Sequence, residues 1–106
     1  MPLIAVIAVT LAATMPTVAD LKQVQGDYQR CLSTNTVTLG QANAEPAETI
    51  LRAVDSVCRP QEDKLRAIYD ETPLPTGRRE AFIRETWTIG QDAGVAALLQ
   101  VRATRR

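Results

Sequence analysis

At 106 residues the chain has room for one domain and one modest core. Its 12 basic and 12 acidic side chains balance, which excludes the clustered Lys and Arg that a nucleic acid or an anionic membrane surface requires. Histidine is absent, and with it go the usual general base near neutral pH and the commonest metal ligand.

The first nineteen residues, MPLIAVIAVTLAATMPTVA, carry no charged side chain. An apolar run from Leu3 to Ala13, the helix breaker Pro16 and the small residues of Thr17-Val18-Ala19 together predict an amino-terminal signal helix, cleaved between Ala19 and Asp20. No Lys or Arg precedes the apolar run, and the stretch approaches membrane-spanning length. An uncleaved single-span anchor and a buried core helix therefore stay open as alternatives. Residues 20–106 are expected to form one helical domain, small enough to need a covalent staple.

The first helix of that domain is expected over about 20–41. Three-four spacing sets Leu21, Val24, Tyr28, Cys31, Asn35, Thr38 and Ala42 on one face. The stretch STNTVTLG, residues 33–40, has four β-branched residues and a closing glycine, a poor helical composition that leaves an early stop near Leu32 as the alternative. Asn43-Ala44-Glu45-Pro46 then reads as a turn, because Pro46 suits the first turn of a helix and Glu48 the positive end of its dipole.

The second helix is expected over 46–71, with its apolar stripe at Leu51, Val54, Cys58, Gln61, Leu65 and Ile68. Cys31 and Cys58, the only cysteines, have positions that add to 89, as do Leu21 with Ile68, Val24 with Leu65, Tyr28 with Gln61, Asn35 with Val54 and Thr38 with Leu51. One antiparallel register thus aligns both stripes and brings the sulfurs level across a hairpin that turns near residues 44 and 45. Glu48–Arg52, Asp55–Arg59 and Glu62–Arg66 form acid-to-base pairs four residues apart on the solvated side. Pro60 removes the hydrogen bond to the Ser56 carbonyl and predicts a kink next to Cys58, or a complete break.

Thr72-Pro73-Leu74-Pro75-Thr76-Gly77 punctuates the chain. A third helix is expected over 78–102, with Phe82, Ile83, Trp87, Ile89, Ala93, Ala96, Ala97, Leu98 and Val101 on a broad apolar face and Glu80–Arg84 paired outside it. The fold class that follows is all-α: a small antiparallel three-helix bundle with a disulfide-stapled hairpin, preceded by the signal helix. Seven acids and four bases between Glu45 and Glu71 face three acids and six bases between Gly77 and Arg106, so the second and third helices should attract one another.

Exported cysteines pair readily, and a Cys31–Cys58 disulfide is the expected staple. A redox pair is the rival reading, since Arg30 and Arg59 adjoin the sulfurs in sequence, but there is no C-x-x-C and no thioredoxin-like pattern. Two thiolates without an imidazole do not complete a metal shell, and no phosphate loop or dinucleotide fingerprint is present. Ser33 and Ser56 lack a histidine to activate them. Neither a cofactor, a metal nor a catalytic residue is expected.

Gly90 and Gly94 lie four apart on one face of the third helix, a strip suited to close packing against the hairpin, under Trp87 or Tyr69, or to a bend that serves a partner. Trp87, Gly90, Gly94, Arg102, Arg105 and Arg106 are the candidate partner-binding residues, the arginines as a short basic tail for an acidic partner. The expected function is that of a small periplasmic or secreted protein of binding or structural type, acting through protein–protein interaction and not as an enzyme. A thiol-redox protein using Cys31 and Cys58, and a membrane-tethered protein that keeps residues 1–19, are the alternatives.

Overall fold

The computed structural model describes residues 17–104, which form four helices and, among the described residues, no strand. The apolar run of the expected signal helix, and Arg105 and Arg106, lie outside the described residues. Helix α1, Val18–Ala42, starts on a capping box: the Thr17 hydroxyl accepts the Asp20 amide at 3.1 Å and the Asp20 carboxylate accepts the Thr17 amide at 2.9 Å. It continues unbroken through residues 33–40 despite their composition. Tertiary packing decides there, because Thr36 is fully buried and its hydroxyl is satisfied by the Leu32 carbonyl at 2.6 Å.

After the turn at 43–46, the chain enters α2, Ala47–Val57, capped by Pro46, whose carbonyl accepts the Thr49 and Ile50 amides. Helix α3, Arg59–Asp70, follows after Cys58 alone. The expected single helix over 46–71 is thus two helices. Pro60 in the first turn of α3 donates no amide, Cys58 leaves helical geometry at φ −92° and ψ 6°, and its carbonyl accepts the Gln61 and Glu62 amides to start the new helix. Residues 71–75 form the second turn and lead into α4, Thr76–Thr104, which begins earlier than expected because the Pro75 carbonyl accepts the Arg78 and Arg79 amides.

The hairpin register holds at the cysteines, but the expected stripe does not stay in the core: Thr38 and Ala42 are exposed, and Leu32, Thr36 and Ile50 are buried in place of Thr38 and Leu51. Cys31 and Cys58 are bonded, with Cα atoms 5.8 Å apart, and Leu21 and Ile68 line one groove at the open end. Asn35, a polar exception in the seam, lies over the bridge: its amide donates to the Cys31 carbonyl at 2.8 Å and lies 3.4 Å from the Cys31 sulfur. The core gathers Tyr28, Leu32, Ile50, Val54, Cys58, Leu65, Tyr69 and Ile83, with Phe82 stacked on Tyr69 at 5.9 Å between ring centres.

The most extensive contact in the molecule joins α1 to α4. These helices run parallel and side by side, and the antiparallel α2–α3 arm packs mainly against α1 and less against α4. Their buried rows step by four residues, Tyr28, Leu32, Thr36 and Gly40 on α1 and Thr86, Gly90, Gly94 and Leu98 on α4. Gly90 packs against Leu32, Gly94 against Thr36 and Leu98 against Gly40, each pair 58 positions apart. The same offset places Tyr28 level with Thr86. A small residue on one helix meets a larger one on the other, which lets two backbones approach closely along four-residue ridges. The expected broad face of the third helix is narrower in fact: Ile89, Ala93 and Ala96 are on the solvent side.

Candidate functional site

Of the candidate partner-binding residues, Gly90 and Gly94 are buried in the α1–α4 seam, where a β-carbon would lie 3.0 Å from the Cα of Gln29 and of Ser33 respectively. The close packing expected against the hairpin is present, on α1 rather than under Trp87 or Tyr69, and the two glycines are buried away from any partner. Arg102 is also engaged. Its Nη2 donates to the carbonyls of Gly40 at 3.3 Å, Asn43 at 3.2 Å and Glu45 at 2.8 Å, so it closes the carboxy-terminal end of α1 from the neighbouring helix, where a cation also meets the negative end of the dipole. Trp87 is half-buried, and its indole N–H donates to Asp55 at 2.8 Å. That bond ties α4 to α2 and takes Asp55 away from the expected pairing with Arg59.

Trp87 forms one wall of a cleft of about 430 Å³ between α3 and α4, lined also by Tyr28, Glu62, Arg66, Glu80, Ile83 and Arg84. Three helices build it. Tyr28 of α1 and Ile83 of α4 belong to the core and form its floor. The Tyr28 hydroxyl donates to Glu62 at 3.2 Å, the other Glu62 oxygen accepts Arg66 Nε at 3.2 Å, and Arg66 Nη1 reaches across to Glu80 at 2.7 Å. Burial, reinforced by the Glu62 carboxylate, pushes the Tyr28 phenol well above the usual tyrosine range and keeps it a proton donor. The hydrogen bond to Glu80 holds the Arg66 guanidinium more firmly protonated than usual.

The sequence gives Glu62–Arg66 as a pair along one helix, which is present, and Glu80–Arg84 as another, which is not. Glu80 turns to Arg66 instead, and the Arg84 guanidinium has no hydrogen-bond or ion-pair partner among the described residues. With Arg79–Asp70 at 2.8 Å, the Arg66–Glu80 bridge makes two charge contacts between α3 and α4. The expected attraction of these two segments is therefore present, though only Arg79–Asp70 has the acid on the second arm and the base on the third. Sequence reasoning treats Glu62, Arg66, Glu80 and Arg84 as solvated surface. The ladder spacing of 62–66 and 80–84 is visible in one dimension, but nothing there says that the two ladders face each other.

At the disulfide, Cys58 has no exposed surface, whereas Cys31 is partly covered. Arg30 turns to Asp27 and Arg59 is exposed; the polar group beside the sulfurs is the Asn35 amide. Among the described residues no cluster of three or more His, Cys, Asp or Glu could hold a metal ion, and no helix is long and apolar enough to cross a membrane. Compared with known proteins, the chain matches no family model, no curated protein and no solved structure.

Proposed function

We propose that this chain is a small binding module of an oxidising compartment, periplasmic or secreted, that works by protein–protein contact and keeps its shape through the Cys31–Cys58 bond. The observation that carries the reading is the place of Cys58, whose sulfur has no exposed surface and lies within the core. With Cys58 sealed in the core, only the partly covered Cys31 sulfur is open to an attacking thiolate, which suits a staple better than an electron shuttle. It belongs outside the reducing cytosol, and the uncharged first nineteen residues supply the export route. The cleft fits recognition better than chemistry, since its tyrosine is held protonated and its carboxylates are held by Tyr28 and Arg66.

Expression of the full chain in an exporting host, followed by isolation from the envelope, tests this in one preparation. Mass spectrometry should place the mature amino terminus at Asp20, thiol titration of the native protein should find no free thiol, and the reduction potential should lie below about −300 mV. A potential of roughly −120 to −270 mV, the range of catalytic oxidoreductases, replaces this reading with a thiol-redox protein. Retention of residues 1–19 in the membrane fraction replaces it with a tethered one.

A further inference from the structure

We infer that the α3–α4 cleft is a binding site for a carboxylate carried on a small apolar body, the chemistry of a partner polypeptide's carboxy-terminal leucine-like residue, with Arg84 as the anchor for its charge. The inference rests on the binding reading above and names the ligand class of its candidate site. Four charged side chains line the cleft, and three of them satisfy one another: Glu62 and Glu80 both hold Arg66. Arg84 is left over because the partner it would have one helical turn back, Glu80, has been taken across the cleft. An unpaired guanidinium, with its planar fork of donors, suits a carboxylate.

The walls decide what carries that carboxylate. Ile83 and the half-buried Trp87 supply apolar surface within one turn of Arg84, and Tyr28 closes the floor. A volume of about 430 Å³ is at the lower end for a ligand site and suits a residue or two, not a large cofactor. The two carboxylates that line the cleft, Glu62 on α3 and Glu80 on α4, argue against a dianion such as phosphate, whose second charge would face them with a single unpaired guanidinium to offset it.

The chain's only tryptophan lies in this wall, so its emission reports occupancy directly. The test titrates the oxidised full-length protein with N-acetyl-leucine, N-acetyl-leucinamide and inorganic phosphate, following Trp87 fluorescence and backbone amide shifts. N-acetyl-leucine should bind at least about fivefold more tightly than the amide, which differs only in lacking the charge, and phosphate should not compete. Arg84→Gln, at an exposed and unpaired position that folding does not need, should abolish the difference between acid and amide, and Arg84→Lys should restore part of it. Equal binding of acid and amide, no response to either, or an Arg84→Gln variant that keeps the preference, each overturns the inference. A cross-linked partner recovered equally by wild type and Arg84→Gln overturns the cleft as the docking site while leaving the binding reading intact.

Discussion

A methyl group added at Gly94 would lie 3.0 Å from the Ser33 Cα and from the Thr36 hydroxyl oxygen, whereas one added at Gly26 would meet only the mobile end of Arg30, at 3.2 Å. The two glycines therefore respond in opposite directions to the same change. Gly26→Ala should stabilise the protein by about 0.5–1 kcal/mol through helix propensity. In Gly94→Ala the same gain is outweighed by forcing two backbones apart, for a net loss of about 1–2 kcal/mol. Denaturant midpoints of the two variants check this, and a stabilised Gly94→Ala would show that the seam is loose. Tyr28 gives the residue-scale prediction in pH. Its phenol keeps its proton in the fold above the pH at which the unfolded chain releases it, near 10. Unfolding therefore releases a proton in that range, and stability should be at full strength below about pH 10 and fall as pH rises beyond it. Burial is the main cause, and of the charged groups around it Glu62 and Asp55 add to the effect while Arg66 opposes it. Tyr28→Phe should flatten the alkaline limb of the stability curve measured by urea unfolding.

For the elements, the ends and the junctions are where sequence and structure part. Residues 33–40 have the composition of a loop, yet their threonines and Gly40 are slim enough to let α4 approach, and burial of Thr36 outweighs weak propensity. Pro60 is visible in the sequence as a disruption. In the structure it ends one helix and starts another at Cys58, the residue that also carries the bridge to α1. Asp55 changes partner for a related reason: with the helix interrupted between it and Arg59, it takes the Trp87 indole. The close of α1 is the least legible, because the group that caps it, Arg102, lies some 60 positions away. Arg102→Ala should cost about 1–2 kcal/mol and raise amide exchange selectively around Gly40–Glu45. If exchange there is unchanged, the three carbonyls have another partner.

Taken whole, the molecule is a hairpin with a third arm laid beside its first. The hairpin was readable because two cysteines fix its register, although the expected stripe leaves the core near the turn, where Thr38 and Ala42 are exposed. The third arm's alignment was not, because the residues that carry it are Gly, Thr and a single Leu, which no hydrophobic pattern marks. Loss of the bridge tests how much the hairpin contributes. A cross-link closing a loop of residues 31–58 contributes roughly 3.5 kcal/mol in the chain-entropy model, so the Cys31→Ser, Cys58→Ser double variant should unfold at a much lower denaturant concentration, by about that free energy. An unchanged midpoint would mean that the α1–α4 seam alone holds the fold.

The 58-residue offset also makes α1 and α4 begin level, at Val18 and Thr76, and finish about one turn apart. An odd count of arms sends the polypeptide out at the pole opposite to the one it entered, separated by the 29 residues of α4, or about 43 Å. Whatever holds the protein on the Thr17 side will display Thr104 outward at that distance, like the tip of a short post. Joining the two by a covalent ring would take a linker of at least about twelve residues.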